Sequence, residues 1–171
     1  CEKLCSAISA AGALLNYLEE TQKNSLAHIR KISVLRRTLY MGLDASTRRN
    51  LELTQPLRFE GSKKSTLLYL LDKTATAMGA RFLRAWLEQP LQNMDDINAR
   101  LDAVEELFKK QHARETLRSA LNSIYDIERL CSRIAYGTVH ARDCDALRAS
   151  LSHLPEVLEA VTALEAPEFR R

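Results

Sequence analysis

The feature that most limits how this chain can fold is the step at which its apolar residues recur. Ile97, Leu101, Val104 and Phe108 fall at three- and four-residue intervals, and Leu117, Leu121, Ile124, Ile127, Leu130 and Ile134 continue the spacing. A 3.6-residue period gathers such a set on one helix face, whereas a half-buried strand would need strict alternation. Glycine and proline, the punctuation of strands and turns, number only 5 and 4 among 171 residues. A length suited to one domain, with 46% hydrophobic and 27% charged residues, leaves room for a core. These features predict an all-α fold, an irregular helical bundle that buries its stripes against one another. No repeat with a period of about 34 or 40 residues appears, which argues against a solenoid.

The chain can be divided further. Residues 1–22 read as an Ala-rich helix with Leu4, Ile8, Ala11, Leu15 and Leu18 on one side. Near residues 32–43 the pattern changes: Leu35, Leu39, Met41 and Leu43 share one parity, and Arg36, Thr38 and Tyr40 the other, as expected of a short extended segment. Asp44 is placed to cap a helix over ASTRRNLELTQ that Pro56 would stop. After a loop at FEGSKKS, one helix is expected from about Ser65 to Glu88, apolar at Leu67, Leu70, Leu71, Met78, Phe82 and Trp86. Gly79 inside it costs about 1 kcal/mol against Ala, which predicts a close helix crossing there. Asn93, with Asp96 three residues on, should open the next helix, and Gly137 should end the run that follows. A last helix over about 142–164 keeps Leu147, Leu151, Leu154, Leu158 and Val161 in register across Pro155, which suggests a kink there and no stop.

Charge is uneven. The net value is +3, but residues 23–64 hold ten Lys or Arg against three acids, and residues 88–128 hold nine acids against five bases. The pairs Arg36–Arg37, Arg48–Arg49 and Lys63–Lys64 are the candidates for contact with nucleic-acid phosphates, which supply the sequence-independent part of such affinity. Only Tyr40 and Phe59 lie nearby to stack bases. The acids Asp95, Asp96, Asp102, Glu105 and Glu106 are expected on the solvent side of their helix, without special tuning. Cys1, Cys5, Cys131 and Cys144 show no zinc-knuckle spacing, and His28, His112, His140 and His153 are dispersed. No metal, cofactor or catalytic residue is expected in this chain. The string GSKKST ends like a phosphate loop, but the earlier glycine such a loop requires is replaced by Pro56. No apolar run reaches the roughly 20 residues needed to cross a bilayer, so a cytoplasmic, membrane-free protein is expected.

Specific strings carry more than periodicity does. AAGALLNYLEETQ, LDASTRRNLELTQ, LLYLLDKTATAMGARFLRAWLEQPL and YDIERLCSRIAYGT followed by ARDCDAL together resemble the bacterial-type MutS family of DNA mismatch repair proteins, from about Ala10 to Leu164. The resemblance implies two parts: residues 1–28, a linking helix from the connector domain, and residues 29–171, the first portion of the helical core, without clamp or ATPase domain. Asp44, Arg48, Asn50, Glu52, Asp72, Thr74, Met78, Gly79, Arg81, Trp86, Pro90, Asp126, Glu128, Arg129, Arg142 and Asp143 fall on family-motif positions and are read as architectural. The upstream Phe-x-Glu mismatch-reading motif and the downstream Walker A motif are absent, so the chain is expected not to be an enzyme. ATP and Mg would belong to the longer family protein, as would mismatched duplex DNA bound by its dimer. The implied partners of this segment are the other domains of that protein. Its implied task is mechanical: to couple the ATPase to the clamp that encloses DNA. Ala141 and Cys144 depart from the family's usual Pro and Leu, a change expected to soften the start of the last helix. The competing expectation is an autonomous helical module that binds DNA or another protein.

Overall fold

The computed structural model describes residues 4–21, 29, 31, 34, 39–58 and 63–170. The chain divides into two compact units, residues 1–36 and 37–171. The first holds α1, Cys5–Thr21, in which no residue is buried and Ile8, Leu14 and Tyr17 are exposed. Among the described residues of the second, seven helices follow: α2 (Ala45–Asn50), α3 (Leu67–Leu71), α4 (Ala77–Glu88), α5 (Met94–Lys109), α6 (Gln111–Asn122), α7 (Ile127–Ala135) and α8 (Ala141–Thr162). Short 3-10 turns lie at Lys63–Ser65 and Pro167–Arg170. No strand forms among the described residues; the all-α expectation holds. Residues 32, 33 and 35–38 of the expected extended segment lie outside the described residues. Of its described end, Leu39 lies in a 3-10 turn and Tyr40 pairs with Leu91 in an isolated antiparallel bridge, with Met41 N donating to Pro90 O at 2.8 Å.

Caps explain where most helices begin. Asp44 accepts from Thr47 N at 2.6 Å, Thr66 from Tyr69 N at 3.2 Å, and Asn93 from Asp95 N and Asp96 N at 2.8 and 3.1 Å. Each side chain thereby satisfies amides that the first helical turn leaves unpaired.

Three expectations need correction. The helix after Asp44 ends at Asn50, well before Pro56, because Glu52 turns into the left-handed region with φ 46°. That turn lets Glu52 O and Leu53 O accept from Leu67 N and Leu68 N at 3.0 and 2.9 Å, which ties the loop to the start of α3. The single helix expected over 65–88 is broken between Leu71 and Ala77. Two polar residues compete with the helix there: Asp72 accepts from Thr74 N and Oγ1, and Thr76 accepts from Gly79 N at 3.0 Å to cap α4. Gly79 accordingly marks a helix start, not a helix crossing. A Cβ on it would lie 3.1 Å from Thr76 Oγ1 and 3.4 Å from Thr74 Cβ.

The core is small and sits where α5, α6, α7 and α8 meet the closing segment. Ala103, Ala120, Ile124, Leu130, Leu164 and Ala166 are buried there, and Leu53 is buried in the loop that bonds to α3. Gly137, at φ +70°, ends α7 in the left-handed conformation that glycine adopts without penalty. α8 runs unbroken through Pro155.

Candidate functional site

The polar groups of the second unit gather at the junctions between helices. At the most heavily bonded junction, Arg81 of α4 faces the start of α7. Its Nη1 and Nη2 donate to the two carboxylate oxygens of Asp126, each at 2.7 Å, and its Nε donates to Glu128 Oε2 at 3.1 Å. Nη2 makes a further close contact with Glu128. A planar guanidinium gripping one carboxylate with two parallel bonds fixes orientation as well as distance. Asp126 also accepts from Arg129 N at 3.3 Å and so caps α7. The Arg81 guanidinium is the main reason the Asp126 carboxyl is held down at about 2, with Asp126 in turn pushing Arg81 upward.

Other junctions are built alike. Arg118 of α6 donates to Lys73 O at 2.8 Å, reaching the break between α3 and α4. Arg114 donates to Leu107 O at 2.8 Å across the α5–α6 corner. Arg133 of α7 donates to Asp143 of α8 at 2.5 Å, while Asp143 also accepts from His140 N at 3.1 Å. The start of α8 is therefore held by Asp143, immediately before Cys144. The Arg100 guanidinium lies 3.7 Å from the centroid of the Trp86 ring, joining α5 to α4 by a cation–π contact. Ser150, with no exposed surface, accepts from Tyr125 N at 3.0 Å and donates to Ala146 O at 2.8 Å.

Glu106 departs from expectation. It is not an untuned solvent-face acid: it accepts from Lys110 Nζ at 2.8 Å, Glu165 N at 2.8 Å and Ala166 N at 2.7 Å. Lys110 and those two amides hold its carboxyl down at about 2. Beside it Leu164, 2% exposed, plugs the core. Glu105 is likewise lowered by its partner Lys109.

The basic pairs expected to meet phosphates fall only partly within the described residues. Arg36 and Arg37 lie outside the described residues, as does the Lys63 side chain. Arg48 turns inward and donates through Nε and Nη2 to Leu43 O at 3.0 and 2.9 Å, while Arg49, Asn50 and Lys64 are exposed. Among the family-motif positions, Asp44, Asp72, Gly79, Arg81, Trp86, Asp126, Glu128, Asp143 and Glu52 take the structural contacts given above. Pro90 offers its carbonyl to Met41 N, Arg129 adds a 3.5 Å ion pair to Asp126, Met78 is half-buried, and Arg142 is exposed. Arg114, Arg118 and Ser150 are invisible to sequence reasoning, since nothing local marks a long side chain or a serine that bonds to a distant carbonyl or amide. Among the described residues no group of three or more His, Cys, Asp or Glu side chains is placed to hold a metal, and Cys5, Cys131 and Cys144 are free and exposed. No helix among them is long and apolar enough to cross a membrane.

A set of helices bolted together at their ends, with motif residues at the bolts, is the pattern to compare with known proteins. The family described as MutS domain III matches residues 46–171. The chain belongs to the MutS domain III family. It is 51% identical over 160 residues to the DNA mismatch repair protein MutS of Ruminiclostridium cellulolyticum, an alignment covering 94% of this chain and 18% of that protein. It is 46% identical over 170 residues to MutS of Oceanobacillus iheyensis, covering 99% of this chain and 19% of that protein. For MutS of Symbiobacterium thermophilum the identity is 49% over 173 residues, with 99% and 20% covered. The chain thus spans about a fifth of the length of the MutS relatives it matches, and within them it corresponds to the helical domain III region. The Arg81, Asp126 and Asp143 junctions all lie inside the MutS domain III match.

Proposed function

We propose that this chain serves as a non-catalytic core segment of a MutS-type mismatch repair protein, coupling the ATPase part of that protein to the part that encloses mismatched DNA. The observation that supports it is the Arg81–Asp126–Glu128 junction with its companions Arg118–Lys73 and Arg133–Asp143. A relay element has to move as a unit if a change at one end is to bias the other. Ion pairs and charge-assisted bonds at helix ends resist the sliding of helices that a plain apolar contact tolerates. On this reading ATP and Mg belong to the longer protein, this chain's partners are that protein's other domains, and the exposed cations near Arg49 play no primary part in binding DNA.

The experiment is Arg81→Ala in a MutS protein that carries this segment. Hydrolysis of ATP without DNA is expected to stay near the unsubstituted rate, while its response to mismatched duplex falls about five-fold or more, the size of an ordinary coupling energy. An undiminished response in the folded variant would defeat the proposal.

A further inference from the structure

One cavity of the second unit collects more cations than its acids match. It measures about 710 Å³ and lies between the loop over 54–58, α3 and α4. Arg58, Lys73 and Arg84 line it against one acid, Asp72. Asp72 is already engaged, since its Oδ1 accepts from Thr74 N at 3.1 Å and from Thr74 Oγ1 at 2.7 Å. Arg58 and the Lys73 side chain have no ion pair or hydrogen bond among the described residues. Arg84 has a long pair, 3.9 Å, to Glu88, whose carboxylate also accepts the Thr54 hydroxyl at 3.2 Å. Even with Glu88 counted, the wall keeps positive charge in excess.

The three cations come from three places, and each is anchored. Arg58 follows Leu57, whose N donates to Glu52 Oε1 at 2.7 Å. Lys73 lies in the break between α3 and α4, where Arg118 holds its carbonyl at 2.8 Å. Arg84 stands one turn beyond Arg81 on α4, and Asp126 grips Arg81. Charges spread along a single helix face are an ordinary solvated surface. Charges that converge on a cavity from a loop, a break and a helix focus their field into it, which selects an anion. Arginine forks and a lysine point charge together suit phosphate oxygens, and a phosphomonoester brings about −1.5 to −2 of charge at neutral pH.

Size and the remaining wall select the rest of the ligand. A cavity of about 710 Å³ falls in the range of pockets that hold whole small molecules, well beyond what a bare ion fills. Pro56, Leu68 and Tyr69 supply an apolar side, and the Tyr69 side chain is half-exposed there. We propose that this cavity binds a phosphomonoester that carries a flat ring, the class of a nucleoside monophosphate, with its phosphate among Arg58, Lys73 and Arg84 and its ring against Tyr69. The inference goes beyond the coupling role and does not rest on it.

The 171-residue chain tests it, with adenosine monophosphate as the probe and isothermal titration as the readout. The nucleotide is expected to bind about ten-fold or more tightly than adenosine or inorganic phosphate, and to weaken as salt rises. Lys73→Gln and Arg58→Gln, which leave the backbone bonds in place, should each weaken it about ten-fold. Tyr69→Ala should weaken it about five-fold. Arg49→Gln, at an exposed cation outside the cavity, should leave it unchanged. All four side chains are exposed, and circular dichroism checks that the fold is kept. Absence of saturable binding, equal losses in Arg49→Gln and Lys73→Gln, or inorganic phosphate binding as tightly as the nucleotide would each overturn the proposal. So would tighter binding of a terminally phosphorylated oligonucleotide than of the mononucleotide, which would assign the phosphate to a nucleic-acid strand. None of these readings involves ATP hydrolysis, so the Arg81→Ala experiment succeeds or fails independently.

Discussion

Helices α5 and α7 have the same kind of sequence, but their central apolar residues have opposite fates. Both carry apolar residues at helical spacing, but Leu130 of α7 is 7% exposed and Leu101 of α5 is 59% exposed. Periodicity says that a helix has an apolar face; only the packing says whether this chain covers it. What α5 buries instead is Ala103 and a polar anchor, Glu106, whose carboxylate receives the closing segment. The contrast separates residues that stabilise this chain from residues whose apolar surface is available to something else.

The contrast breaks hardest at Leu164. Replacing it by Ala removes the most deeply buried large side chain, just past the end of α8, and leaves a cavity next to the segment that Glu106 holds. Leu164→Ala is expected to cost about 2–5 kcal/mol, read from urea unfolding of the chain with an unchanged m-value. A loss below about 1 kcal/mol would mean that the junction held by Glu106 is not part of the cooperative core.

How much of the molecule is legible in its residues follows the range of each interaction. Helix starts at Asp44 and Asn93, and the end of α7 at Gly137, are readable because a cap acts within about four residues of the side chain that makes it. The all-α class is readable from spacing alone. The break between α3 and α4 escapes a periodicity reading although its agents, Asp72, Thr74 and Thr76, stand in the sequence, because leucines on both sides keep helical register across it. The early end of α2 escapes it because a left-handed Glu52 depends on carbonyls that serve amides of α3, some fifteen residues on. At the junctions, Arg81 is marked by a family string and not by any local physical signal, whereas Asp126 and Asp143 also make local caps, and only their pairing with Arg81 and Arg133, 45 and 10 residues away, is hidden. Glu106 reads as an ordinary solvent-face acid because its partners, Glu165 N and Ala166 N, lie some sixty residues away.

Acid should sharpen the comparison between bolted and open faces. The Asp126 and Glu106 carboxyls sit at about 2, below the ordinary carboxylate range near 4, so both are charged and bonded at neutral pH. A depressed carboxyl contributes its stabilisation above the unfolded value and loses it as pH falls through the folded one. Stability is therefore expected to drop between about pH 4 and pH 2, and the drop should be shallower in Asp126→Asn. Thermal unfolding across that range checks it. Arg81 is partly exposed, so the effect should shrink at high salt. A pH profile identical in chain and variant would remove Asp126 from the set of groups that hold α4 to α7.

The smallest effect is the most informative about α5. Leu101→Ala deletes as many carbon atoms as Leu164→Ala, yet at 59% exposure it gives up little buried surface in this chain. Helix propensity favours alanine slightly over leucine, which offsets part of what is lost. The expected change is within about 0.5 kcal/mol, the range of ordinary surface substitutions. The same substitution in a MutS protein that covers this face should cost several times more, since the face would then be an interior. Two unfolding measurements with one substitution thus weigh the face directly. An equal, small cost in both proteins would leave α5 facing water, and a large cost already in the 171-residue chain would place Leu101 in a core that its exposure denies.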